Sequence, residues 1–422
     1  MNGRPPLLRR IGQALLGPVM AVLVALVISA IVILLIGEDP LAAFRVMVDL
    51  GDTPSQQTQS MVVILNRAIP LFLAGLAVSI AFRMGLFNIG VEGQYRLATI
   101  LAAAAGAAVT LPAPLHVLFI VVVAMIVGAL WAGIVGVLKV TRGVSEVISS
   151  IMLNFVAIGL ASFLLSGPLR GSEGGASIIT TEPLPESASL PGLNGVFTAL
   201  GLAEPRTELY GFLLIAIVAG VVIAVLLKRT RFGFDLRATG LSPSAASASG
   251  VDARAMVVKT MLLSGAVAGL IGLPDLLGST HHFGTEFTAG LGFLGIAVAL
   301  LGRNSPVGIA LGALLFAFLD RAAVPLQLAQ IPSSVVTIIQ GTIVLAVVIA
   351  NEVARRLTRR QAERGSAVTP PSTGDGSTGD GSTGGGQGPD GGAPPDDGPA
   401  GTGTGLATTT GAGRSGEQGA RL

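Results

Sequence analysis

Long runs of apolar residues recur along the chain, and short polar segments separate them. The runs at about Leu15–Leu35, Met61–Ala81, Leu115–Leu138, Gly143–Leu165, Leu209–Leu227 and Ala255–Leu273 are nearly uncharged. Each is long enough to cross a bilayer as a helix. Two others, Leu97–Val109 and Gly290–Gly302, hold only 13 residues each. Such a helix is about 20 Å long, short of about 30 Å of hydrocarbon. The first follows SIAFRMGLFNIGVEGQYRLAT (Ser79–Thr99), where Arg83, Asn88, Glu92, Gln94 and Arg96 interrupt the hydropathy. This pattern predicts a broken or partly re-entrant helix, with the same device repeated at 290–302. Non-helical backbone at that depth has to be buried in protein or line a wet cavity. Runs at Val307–Leu319 and Val335–Ala350 bring the expected count to ten crossings, an all-α polytopic membrane fold.

The connectors orient the runs. Glu38–Ser60 carries Glu38, Asp39, Asp49 and Asp52 against Arg45. Gly167–Arg206 has five Pro with Glu173, Glu182, Glu186 and Glu204, and both segments suit an exterior loop. Basic residues gather elsewhere, at Lys139 and Arg142 and in the central stretch Lys228–Lys259. That stretch sets Lys228, Arg229, Arg231, Arg237, Arg254 and Lys259 against Asp235 and Asp252. Positive residues flanking spans mark the cytoplasmic side, so both termini are expected in the cytoplasm of an inner-membrane protein. Arg67 falls near the outer end of its run, where a snorkelling side chain is expected. The expected organisation is a basic start (1–14), a membrane domain (15–360) with a central cytoplasmic loop (228–254), and a tail (361–422). The first run reads as an uncleaved span. The Gly, Pro, Ser and Thr tail has no apolar stripe and is expected to be disordered.

Composition agrees and removes several chemistries. Hydrophobic residues make up 51% and charged residues 12%, about half the charged share of a soluble domain. Without Cys there is no disulfide, thiolate ligand or cysteine nucleophile. No separate basic domain offers itself to nucleic acid, and no GxxxxGK[ST] phosphate loop occurs. His281 and His282 are adjacent but have no further ligands nearby, so neither metal nor cofactor is expected. The chemistry left is polar side chains inside apolar runs: Asn88, Glu92 and Gln94 in the break, then Glu146 and Asn154 in the fifth run. They either line a path for a polar cargo or satisfy the broken backbone.

Several ordered words carry a resemblance over roughly Leu15–Ala350: GLFNIGVEGQ (Gly85–Gln94), GVSEVISSIMLN (Gly143–Asn154), RFG and RATG in the central loop, and GLGFLGIAVALLGRNSP (Gly290–Pro306). The chain resembles permease subunits of bacterial ABC importers in the branched-chain amino-acid, ribose and simple-sugar superfamily, most of all the nucleoside branch that works with basic-membrane-protein-type lipoproteins. The resemblance implies two permease chains, here a pair of paralogues, with two cytoplasmic ATPases and an extracytoplasmic binding lipoprotein. It makes the central loop the ATPase-coupling segment, with Arg237, Gly240, Ala245, Ala246 and Gly250 on the family pattern. With a nucleoside as cargo, the polar residues inside the apolar runs, Asn88, Glu92, Gln94 and Asn154, are the substrate-pathway candidates, while Glu146 and Asn154 also suit helix packing or an interfacial place. A simple sugar such as ribose or galactose is the other cargo of the same machine. An ion-coupled secondary transporter, free of any ATPase, is the alternative of another class.

Overall fold

Thr53 and Gln56 set where the longest helix begins. The Thr53 hydroxyl accepts from the Gln56 N–H while the Gln56 side chain accepts from the Thr53 N–H, a reciprocal cap followed by Pro54. The helix therefore starts seven residues before the apolar run at Met61 and continues to Phe82. The chain is described by a computed structural model over residues 23–349, except 25, 173–178, 286, 333, 347 and 348. The basic start, the first part of the first run, the closing basic group at 355–360 and the tail lie outside the described residues.

Helices follow in the order the runs dictate. The apolar α1 (Leu26–Ile36) is followed by the short α2 (Pro40–Val48) and by α3 (Pro54–Phe82). Next come α4 (Val91–Ala107), α5 (Ala113–Arg142) and α6 (Glu146–Ser166), then α7 (Gly195–Ala199) in the long connector and α8 (Phe212–Arg229). The central stretch folds as α9 (Arg231–Leu241) and α10 (Pro243–Ala248) before α11 (Ala253–Gly269). A short α12 (Leu273–Asp275) and a π-helical turn (Leu276–Thr280) extend α11. The half-length α13 (Leu291–Leu301), α14 (Pro306–Leu328) and α15 (Ser334–Ala346) complete the described chain. Six of these helices are long and apolar enough to cross a membrane, and no β-strand occurs among the described residues.

Burial separates centre from periphery. Two thirds (67%) of the most apolar window is buried in α3 and in the α11 extension, against about a third or less in α5, α6 and α8. Exposed Leu, Val, Ile and Phe stud those outer helices, as a lipid-facing surface requires. Small residues let α5 and α11 touch: the Gly128–Ala132 pair lies directly against Gly265 and Gly269. Lys139 and Arg142 occupy the last turn of α5, beside its exposed carbonyls, and Gly143 closes it in the left-handed conformation.

Two expectations need correction. Arg67 does not snorkel; its Nε lies 2.7 Å from the Asp320 carboxylate, and both side chains are largely buried. Nor does the ninth run end at Asp320. With Asp320 also accepting from the Gln340 amide (2.6 Å), its charge is matched inside the bundle, and α14 runs on to Leu328.

Candidate functional site

The break after α3 is a polar joint whose Asn88 and Glu92 are buried while Gly85 and Phe87 are exposed. Arg83, just past the helix, donates to the Asn304 carbonyl through Nε (3.2 Å) and Nη2 (2.5 Å), which ties the ends of α3 and α13. Residues 86–88 then run without helix back towards the centre. The Asn88 amide nitrogen donates to Gln94 Oε1 (3.0 Å) and to the Ser264 hydroxyl (2.8 Å). In return Asn88 Oδ1 accepts from Gln94 Nε2 (2.8 Å) and from the Gly90 N–H (3.1 Å). Ser264 passes the chain on to the Ala77 carbonyl of α3 at 2.7 Å. From α6, Asn154 accepts from the Gly93 N–H (2.8 Å) and donates to the Ile89 carbonyl (2.9 Å). Each of these groups is a backbone or amide partner that hydrocarbon could not supply.

Glu92 joins the two short helices. Its Oε1 accepts from the Gly290 N–H (2.8 Å), the Tyr95 hydroxyl (3.1 Å) and Arg96 Nε (3.0 Å), while Oε2 accepts from the Gly292 N–H (3.0 Å). Gly290 is the N-cap and Gly292 the second residue of α13, so an anion sits at the positive end of the helix and accepts from N–H groups there. The 11 residues of α13 span about 16 Å, and its other end meets Arg83. Only glycine fits at 292: a Cβ there would come within 2.7 Å of Glu92 Cα. Tyr95 completes the joint, its one hydroxyl proton shared between Glu92 and the Thr288 carbonyl at 2.7 Å.

The structure thus buries all four candidates at the break: Asn88 and Gln94 as a pair, Asn154 on the backbone of the break, and Glu92 on the start of α13. Glu146 stands apart, paired to Lys139 at 2.5 Å across the α5–α6 turn. Replacing Asn154 by Ala would orphan a buried N–H and a buried carbonyl together. It should destabilise the extracted protein by about 1–3 kcal/mol for each group, read as a lower unfolding temperature. Sequence reasoning missed Tyr95, Thr288 and Ser264, whose hydroxyls or carbonyls carry no local signal, and Asp320, which a search for opposite charges in apolar runs would have matched to Arg67.

At the basic end, α9 and α10 pack against the membrane helices. The Arg237 guanidinium donates to the Leu227 carbonyl in the last turn of α8. A Cβ on Gly240 would lie 2.8 Å from Met84 Cα, so close approach here is to the chain's own turn after α3. Ala246 is buried beneath α10, whereas Ala245 and Gly250 face outward with the large apolar Phe234 and Leu241. At the opposite end the long connector is tied down rather than free. Asn66 donates to the Glu208 carbonyl and accepts from the Tyr210 N–H. His116, buried, bridges the Ser187 hydroxyl (2.8 Å) and the Gly106 carbonyl (2.9 Å). Donation from the Ser172 N–H and hydroxyl holds the Glu182 carboxyl below its ordinary range. No group of three or more His, Cys, Asp or Glu that could hold a metal occurs among the described residues.

Comparison with known proteins agrees with this architecture. The profile of the family described as branched-chain amino acid transport system / permease component matches residues 60–348. A glucose ABC transporter permease protein of Haloferax volcanii is 35% identical over 78% of this chain and 85% of its own. A guanosine ABC transporter permease protein of Bacillus subtilis is 34% identical over 79% and 92% respectively. A nucleoside ABC transporter permease protein of Lactococcus lactis is 30% identical over 85% and 97%. The matched region takes in both short helices, the carboxylate that joins them and the helical central loop, and the chain belongs to this family of transport-system permeases.

Proposed function

We propose that this chain is the membrane subunit of an ATP-driven importer and that its cargo is a nucleoside. The carrying observation is the likeness to guanosine and nucleoside permeases across nearly their whole length. A sugar is the second reading, favoured by the 35% identity to the glucose permease. In this proposal the basic end faces the cytoplasm, as the clustering of Lys and Arg there supports, and both termini lie on that side. The α9–α10 segment meets an ATPase, with Phe234 and Leu241 supplying an apolar contact and Ala245 and Gly250 a close one. A paralogous permease and an extracytoplasmic binding lipoprotein complete the machine. Asn88, Glu92, Gln94 and Asn154 serve the path from within its wall, holding the joint about which the two short helices move.

Uptake into membrane vesicles with a panel of labelled cargos, with and without the partner subunits, tests this. A nucleoside should accumulate only when the ATPase is present. Accumulation of glucose and no nucleoside would transfer the assignment to sugars. Uptake undiminished without the ATPase would replace the importer with an ion-coupled carrier.

A further inference from the structure

A cavity of about 530 Å³ opens between α3 and α14 at the end remote from the basic loop. That volume lies within the range of small-molecule sites. One wall is polar: Arg67 and Asp320, with Gln59, Ser60 and Arg321 beside them. The other is apolar, formed by Val63, Val324, Pro325 and Leu328. The Arg67 and Asp320 side chains keep 27% and 20% of their surface accessible, so the pair is buried in the bundle yet open to this space.

An ion pair is a poor device for merely joining α3 to α14. Its desolvation cancels most of its attraction, and apolar packing would hold two helices as well. Ionisable groups inside a membrane are expensive and mark substrate paths by default. Neighbours hold this pair in place without exhausting it. Gln340 donates to Asp320 Oδ1, Arg67 Nη1 lies 3.4 Å from the Thr288 hydroxyl, and Arg321 donates to the Ser60 hydroxyl at 2.7 Å. Each carboxylate oxygen has a second acceptor site, and a guanidinium has five N–H donors. Pro325 adds one more acceptor, since it supplies no N–H to the Arg321 carbonyl one turn earlier.

We propose that this cavity is the cargo-contacting site on the outer half of the path. It would take a ring-bearing polyhydroxylated molecule, a nucleoside on the reading given above, on which this inference rests. Asp320 accepts from sugar hydroxyls, Arg67 donates to the base edge, and the Val63–Pro325 wall covers the flat face of the base. The site also touches the joint. Thr288 meets Arg67 through its hydroxyl and Tyr95 through its carbonyl, so a cargo that draws Arg67 away from Thr288 acts on the segment leading into α13.

The chain has no Cys, so an introduced thiol is the one label site on it, read from this chain's own band after separation from its partners. Val63→Cys, assembled with its partner subunits, is labelled with a membrane-impermeant methanethiosulfonate across a range of cargo concentrations. The cargo used is whichever compound the wild type accumulates. A sugar-transporting wild type would thus overturn the nucleoside reading and leave the cavity to be tested with the sugar. Cargo should protect Val63→Cys in a saturable way. Asp320→Asn should raise KM about 10- to 100-fold, the worth of one charge-assisted hydrogen bond, while still retaining the ATPase in pull-down. Labelling that saturating cargo leaves unchanged would overturn the site, as would a KM unmoved by Asp320→Asn. Should either variant fail to reach the membrane, protection at Val324→Cys on the facing helix decides in the same two directions.

Discussion

Glu92→Ala should leave a permease that barely survives extraction from the membrane. The buried carboxylate accepts four hydrogen bonds, and two of them come from the N–H groups of Gly290 and Gly292 at the start of α13. Removing it orphans those groups and leaves Arg96 charged and unpaired, a loss of about 3–5 kcal/mol for a broken buried pair. Glu92→Gln is not a mild change either. An amide offers one acceptor oxygen where the site uses two, and its NH₂ would face an N–H or the guanidinium. The pair Glu92→Ala with Arg96→Met should recover part of the loss, because neither charge is then left alone. Thermal unfolding of the four purified proteins measures this. A Glu92→Ala protein as stable as wild type would show that the cap does not hold the two helices together.

The existence of the joint was legible, because 13 apolar residues cannot span a bilayer and polar residues crowd the start of one such run. Its partners were not. Glu92 reaches residues 198 and 200 positions away, and nothing in the local pattern around Gly290 or Gly292 announces a missing acceptor. Arg67 failed for the same reason: near a helix end an arginine reads as snorkelling until a carboxylate 253 residues later is brought beside it. Sequence alone leaves Asn88 and Gln94 open between lining a path and satisfying the backbone; in the structure their amides bond each other, and Arg67 and Asp320 are among the polar groups that face a cavity. In the central loop the need for small residues was readable but the surface approached was not, for Gly240 lies on Met84 of its own chain.

Gly240→Leu should cut ATP-driven uptake while leaving the outer half of the permease intact. The new Cβ would stand 2.8–2.9 Å from three backbone atoms of Met84, and backbone cannot turn aside as a flexible side chain can. Overpacking of this kind costs about 1–3 kcal/mol. Charge reversal at Arg237 is a weaker probe, because the nearby Arg83 cation would attract the new carboxylate and offset the loss. Arg237→Ala is cleaner: it removes the donor to the Leu227 carbonyl and frees the last turn of α8, at about 1.5–3 kcal/mol for a hydrogen bond from a charged group. Both substitutions unseat α9 from the membrane helices without touching the cavity between α3 and α14. Uptake should fall by about five- to 150-fold, the range that about 1–3 kcal/mol spans at tenfold per 1.4 kcal/mol. Cargo should still protect a thiol at Val63→Cys in the same protein. Wild-type uptake by Gly240→Leu would mean that the seat of α9 on Met84 plays no part in coupling. Loss of thiol protection together with uptake would mean that the whole bundle, and not the coupling segment, depends on it.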